Sequence, residues 1–336
     1  MLPSCSPMKV AILDDYADAA RQLKAWTKLA GHEVTAFRDH VADPVELGRR
    51  LEGFEAVVLI QQRCWFPRVV IEKLPDSVKL ISQTGHWHAH IDAAACTERG
   101  IAITAAGKTN FNAPAQLAWA LILASWRHIP QETAAMKAGR WLSTLGREVN
   151  GRTLGIYAYG NIGSIVAGAG RAFGMKVTCW GREGSTARAR AAGYEVPASR
   201  EEFFETCDVL SLHLPLRPDT RGIVTPADLA RMKPDALFVN VSRAALVGDQ
   251  VLADALIKGR PGRAAVDVYE VEPVQDANHP LVRLENCLCA PHLGYNAEDT
   301  LERYLGGAFD HVVAYASGKP INVVNPDALR ETRLRS

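Results

Sequence analysis

The 336-residue sequence lacks a charge bias: 38 basic side chains stand against 37 acidic ones, for a formal net charge of +1. So balanced a surface gives no support to a nucleic-acid partner or an anionic membrane. No apolar run approaches the roughly 20 residues that span a bilayer. The start, MLPSCSPMKV, has no apolar core of the kind a signal peptide carries. Low-complexity segments and short-period repeats are also missing. The seven cysteines are odd in number, scattered, and form no C-x-x-C pair. Cys287 and Cys289 would share one face of a strand rather than clamp a metal. The expectation is seven reduced thiols in a cytoplasmic protein.

What is present is an ordinary globular composition, 48% hydrophobic and 22% charged, in a chain long enough for two domains. The first hundred residues alternate apolar runs with amphipathic segments. Strands are expected at 9–15, 32–37, 56–60, 79–84 and 101–104, with helices at 17–30, 43–52, 67–74 and 91–99. Gly31 and Gly100 stand where helices end. Residues 113–141 break this rhythm with a longer helical segment that Pro130 should divide. It reads either as a core helix or as one that joins two domains or packs a dimer. Alternation resumes at 151, with strands at 153–158, 175–180, 208–214, 236–242, 263–269 and 286–291, and a last helix at about 298–316. Ser199 to Glu202 and Thr225 to Asp228 resemble capping boxes. Such alternation predicts parallel sheets covered on both faces.

LGIYAYGNIGSIVAGAGRAFGMKVTCWGRE (154–183) resembles a dinucleotide-binding fingerprint. Gly160 and Gly163 fill its second and third glycine positions, for phosphate approach and for helix–strand packing. Asn161 and Ile162 would offer backbone N–H groups to a pyrophosphate. Ala158 occupies the first glycine position; its cost is small at negative φ and about 1 kcal/mol at positive φ. After the second strand, Gly181 and Arg182 stand where an acid would receive ribose hydroxyls. Arg182 favours the 2′-phosphate of NADP. Glu183, 20 residues beyond Gly163, keeps NAD open.

Four further ordered stretches accompany this one: HLPL (213–216), FVNVSRAALV (238–247), AAVDVYEVEP (264–273) and CAPHLGY (289–295). Together they resemble the D-isomer-specific 2-hydroxyacid dehydrogenase family over nearly the whole chain. The resemblance implies a flavodoxin-like substrate-binding domain at 1–108 and 297–336, and a Rossmann NAD(P)-binding domain at 109–296. A substrate groove is expected between them. It also implies hydride transfer between a nicotinamide cofactor and a 2-hydroxy or 2-keto acid. His292 matches the proton donor, Glu272 the acid that orients it, and Arg243 the carboxylate grip. Asp267 matches the contact to the nicotinamide carboxamide; His213, Leu214 and Pro215 match the adenine side. Val241 would lie near a ribose, and Gly294 completes the cofactor set. Glu270 reads as a spare surface carboxylate.

For substrate, the resemblance points to Arg63 and to the loop TGHWHAHID (84–92), in which His86, Trp87 and His88 replace the usual glycine pattern. Gln61 stands where an arginine is often found, which weakens the case for a phosphorylated substrate. No third ligand joins the two histidines, so no metal is expected. The expected partner is a small 2-keto or 2-hydroxy acid, and the expected assembly a homodimer. A non-enzymatic dinucleotide sensor of the same fold, like the corepressors that share it, is the alternative.

Overall fold

The computed structural model of the chain describes residues 7–330. It divides into two compact units, Met1–Thr109 with Ala297–Ser336, and Asn110–Asn296.

The first unit carries five strands, β1 (Lys9–Leu13), β2 (Glu33–Ala36), β3 (Ala56–Leu59), β4 (Leu80–Thr84) and β5 (Ala102–Ala106). They pair in the order β2-β1-β3-β4-β5, all parallel, the flavodoxin-like doubly wound order. β3 and β4 are buried along their whole length, as strands covered on both faces must be. The chain returns to this unit through the helix Glu298–Ala316. There the buried Ser82 hydroxyl donates to the Ala308 carbonyl at 2.8 Å. The helix expected at 17–30 is instead two 3₁₀ segments, Ala20–Gln22 and Lys24–Leu29. Leu23 between them is extended at φ −86°, ψ 147°, and the Asp15 carboxylate draws in the Ala19 and Ala20 N–H groups.

The second unit carries β6 (Thr153–Tyr157), β7 (Lys176–Trp180), β8 (Val209–Leu212), β9 (Leu237–Asn240), β10 (Arg263–Val266) and β11 (Cys287–Cys289). Their order is β11-β10-β9-β8-β6-β7. A parallel bridge between Thr178 and Glu195 extends the β7 edge. The sheet is therefore a Rossmann sheet in which one outer strand has shrunk to a single bridge. Residues 194–196 are too few to show a strand pattern in the sequence. Strand order reverses between β6 and β8, so their carboxyl ends form the crevice where this fold class places a ligand.

Pro130 does divide the long helical segment. Asn112–Trp126 is a core helix, with Ala118 and Ile122 wholly buried and the Trp119 indole N–H donating to the Val166 carbonyl. Ile129–Lys137 follows, with Pro130 in its first turn and His128 left-handed at φ 53° ahead of it. Of the two capping patterns, Thr225 to Asp228 forms the full reciprocal box. Ser199 caps Glu202 N–H, but the Glu202 carboxylate accepts from Ala198 rather than from Ser199. The six described cysteines are free thiols; Cys5 lies outside the described residues.

Candidate active site

Strands β8 and β10 end earlier than their apolar patterns suggest, at Leu212 and Val266. The next residues, His213 and Asp267, still donate their N–H groups to the Tyr157 and Asn240 carbonyls and stand at the carboxyl edge of the sheet. All the catalytic candidates sit on this edge.

The turn after β9 is held from within. Asn240, almost wholly buried, accepts from the Ser242 N–H and donates to the Arg243 carbonyl. The Ser242 hydroxyl donates to the carbonyl of Leu212 on β8. This braces Val241 and presents Arg243 as an exposed residue at the start of a short 3₁₀ turn. Packed protein holds its guanidinium below the ordinary value, and the Glu272 charge opposes that. Asn240 was not singled out from the sequence, although its place three residues before Arg243 carries the signal.

After β10, Asp267 is wholly buried. Its two oxygens accept from the Leu293 N–H at 2.6 Å and the Gly294 N–H at 2.9 Å. Burial pushes this carboxyl up to about 6, against the pull of those amides and of His292. A side chain at Gly294 would come within 3.3 Å of the Asp267 carboxylate. The carboxylate thus clamps the turn that carries His292. That residue is left-handed, at φ 53°, a conformation an L residue holds only where its surroundings dictate it. His292 Nδ1 lies 2.6 Å from Glu272 Oε2. The other Glu272 oxygen accepts from the Tyr269 N–H, and the Tyr269 hydroxyl donates to the Ala290 carbonyl. Two elements are in this way tied on either side of one imidazole. With Nδ1 turned to a carboxylate, Nε2 is the nitrogen left for proton exchange.

Glu270 lies at the surface as expected from the sequence, but it is not spare. It accepts from the Asp249 N–H at the start of the helix Asp249–Ile257, while its own N–H donates to the Asp249 carboxylate. His279 also meets that carboxylate at 3.1 Å.

At the glycine turn, Ala158 has φ 78°, so the costly alternative applies, about 1 kcal/mol. Its N–H donates to the Trp180 carbonyl and its carbonyl accepts from the Gly160 N–H. A Cβ on Gly160 would meet nothing within 4 Å, whereas one on Gly163 would lie 2.4 Å from the Ala158 oxygen. The two glycines differ in cause: the first leaves open space, the second lets the helix Asn161–Ala172 close on the strand. No side chain caps that helix, so its amides remain for an anion. These features fit a dinucleotide pyrophosphate. Gly181 has φ 155°, and a Cβ there would lie 3.0 Å from Ser185 Oγ. A side chain at that position would be strained and would press on Ser185. Arg182 caps the next helix, Glu183–Ala191, and pairs with Asp219. Glu183 points to Arg190 at 3.6 Å.

On the adenine side, Leu214 is buried and Pro215 exposed. His213 Nε2 meets the Ser211 hydroxyl at 3.0 Å, and its Nδ1 is buried without a partner. The residue keeps some exposure, yet burial of the ring pushes it down to about 3, so the imidazole is neutral.

In the first unit, Arg63 donates to the Asp14 carbonyl at 2.7 Å and lies over the Tyr16 ring. Gln61 is left-handed and engages Thr84 through its N–H and its side-chain amide. His86 meets the Thr109 hydroxyl, and His88 Nδ1 meets the His86 carbonyl. Trp87 is half-exposed and stacks on the buried ring of His90, 5.5 Å away. Asp14, His40 and Cys64 lie within 4.8 Å of one another. Burial and Asp14 push the Cys64 thiol up, which keeps it protonated beside the His40–Asp14 contact at 3.2 Å.

Residues 119–294 match the family described as D-isomer specific 2-hydroxyacid dehydrogenase, NAD binding domain. A glyoxylate reductase of Aeropyrum pernix is 35% identical over 263 residues, 75% of this chain and 78% of that one. A D-3-phosphoglycerate dehydrogenase of Methanocaldococcus jannaschii is 35% identical over 72% of this chain, which spans only 46% of its length. A solved phosphoglycerate oxidoreductase from Vibrio cholerae O395 is 46% identical, with a TM-score of 0.88 over 93% of this chain and 99% of that one.

Proposed function

This chain belongs to the D-isomer-specific 2-hydroxyacid dehydrogenase family, and on that premise we propose that His292, Glu272 and Arg243 carry its chemistry. It is an oxidoreductase that moves a hydride between a nicotinamide cofactor and a 2-hydroxy or 2-keto acid. The bound nicotinamide supplies the hydride. His292 gives a proton from Nε2 to the substrate oxygen as that oxygen gains charge, and recovers it in the reverse direction. Glu272 receives the Nδ1–H, fixes the ring and stabilises the imidazolium through a charge-assisted hydrogen bond. Arg243 grips the substrate carboxylate and polarises the adjacent carbonyl. Asp267 holds the histidine turn; each of its oxygens keeps a second lone pair for the carboxamide contact. Asn240 braces the arginine turn.

The helix amides at Asn161, Ile162 and Gly163, reached across Gly160, hold the pyrophosphate; Leu214 and Pro215 face the adenine and Val241 the ribose. Arg182 receives a 2′-phosphate, which makes NADP the preferred cofactor and reduction of a 2-keto acid the working direction. In the first unit, Arg63 and the loop at 86–88 contact the substrate. The observation that carries this reading is the 2.6 Å His292–Glu272 contact on a turn clamped from below. Family membership favours an enzyme over a purely regulatory dinucleotide sensor. Initial rates with NADPH and NADH, against glyoxylate, hydroxypyruvate, pyruvate and phenylpyruvate, test it. Turnover of at least one is expected, faster with NADPH; no turnover of any would overturn the reading.

The same reading includes a cytoplasmic homodimer. Free thiols suit a reducing compartment. In the second unit Trp141, Leu142 and Leu145 are 79%, 78% and 94% exposed. So much apolar surface in one short segment fits a second copy of the chain.

A further inference from the structure

The Arg182–Asp219 pair joins two different elements. Arg182 follows β7 and caps a helix; Asp219 lies on the loop after β8. Both elements leave the carboxyl edge of the Rossmann sheet, on either side of β6 and its glycine turn. The Asp219 loop is not a loose strand of surface. Thr220, almost wholly buried, donates its hydroxyl to the Pro215 carbonyl and accepts from the Arg217 N–H. The Gly222 N–H then donates to the Ala245 carbonyl. Asp219 is thus presented from a loop tied down on both sides of it. Arg188 is fixed as well, donating to the Tyr159 carbonyl inside the glycine turn.

We propose that Asp219 tunes cofactor selectivity, by competing with a 2′-phosphate for Arg182 and by serving as the carboxylate that position 181 does not carry. This rests on the reading of Arg182 as the 2′-phosphate contact. Position 181 carries no carboxylate, and a side chain there would be strained against Ser185, so an acid facing the ribose comes more readily from another element. Asp219 is the carboxylate that already meets the side chain next to Gly181. With an unphosphorylated ribose, its oxygens accept the hydroxyls. With a phosphorylated one, its charge repels the dianion and competes for the same guanidinium. The pair moderates the preference for the phosphorylated cofactor that Arg182 gives.

The test uses the full-length protein and two ligands that differ only in the 2′-phosphate, adenosine 2′,5′-bisphosphate and 5′-AMP, titrated by calorimetry so that no turnover enters. Asp219→Asn should raise the affinity ratio in favour of the bisphosphate by up to about fivefold, the range of an exposed charge pair. Arg182→Ala should lower that ratio. 5′-AMP binding should stay close to wild type in Arg182→Ala, which reports that the nucleotide site is intact, and should weaken in Asp219→Asn, where the ribose hydroxyls lose a charged acceptor. If Arg182→Ala lowers the ratio and Asp219→Asn leaves it unchanged or lowers it, the Arg182 reading stands and the role given to Asp219 falls. If Arg182→Ala leaves the ratio unchanged, both fall.

Discussion

His292 and Glu272 are 20 residues apart in sequence and 2.6 Å apart at Nδ1 and Oε2. The contact works because each partner is held by something else. Asp267 fixes the turn beneath the histidine, and the Tyr269 N–H fixes the far oxygen of the glutamate. Glu272→Gln keeps the shape but removes the charge that stabilises the imidazolium. We expect reductive turnover to fall by about 10- to 100-fold, one charge-assisted hydrogen bond weakened by roughly 1.5–3 kcal/mol. Steady-state kcat with a saturating keto acid checks this, and an unchanged value would detach Glu272 from the chemistry.

Asp267 predicts a pH dependence of stability. Its folded-state value of about 6 lies above that of an unfolded aspartate. A raised value means that the charged form is disfavoured by folding, so the contribution is fully present below the unfolded value and is lost as pH rises through about 6. Relative to Asp267→Asn, which does not titrate, wild type should therefore lose about 2 kcal/mol between pH 4 and pH 7. Urea unfolding of both proteins across that range measures the difference. A difference that does not vary with pH would contradict it.

The glycine turn offers a stability test of opposite sign at two positions. Ala158→Gly should stabilise by about 1 kcal/mol, since the native φ of 78° is left-handed. Gly163→Ala should destabilise and impair nucleotide binding, because the new methyl would lie 2.4 Å from a backbone oxygen. Thermal unfolding with and without NADPH separates the two.

Trp141→Arg combined with Leu145→Glu should convert a dimer to a monomer, read by light scattering at micromolar concentration. Both side chains are among the most exposed apolar groups of the described residues, so the folded protomer should lose nothing by the change. A dimer that survives both substitutions would move the interface elsewhere.

The alternation of short apolar runs and helices made both parallel sheets legible, because strands buried on two faces must be continuously apolar. The site was legible for a related reason: Arg243, Asp267 and His292 all fall just past a strand end, where polar residues interrupt an apolar pattern. What escaped was set by tertiary contact. Nothing local says that Glu270 would meet the start of a helix 21 residues earlier in the chain. The sign of φ at Ala158, left open by the sequence, is fixed by its bonds to Trp180 and Gly160. The strain that a side chain at Gly181 would meet shows only when its backbone and Ser185 are seen together.

The most direct test of the account compares turnover with dinucleotide affinity in His292→Ala and Arg243→Ala. Neither side chain is assigned to the pyrophosphate or adenine contacts, and proton transfer by a positioned residue contributes about 10²–10⁴-fold. The account predicts that kcat for keto-acid reduction falls by about that factor in His292→Ala, and severely in Arg243→Ala, while NADPH affinity by fluorescence titration stays close to wild type. Wild-type turnover in either variant, or a loss of turnover that merely follows a loss of cofactor binding, would contradict it.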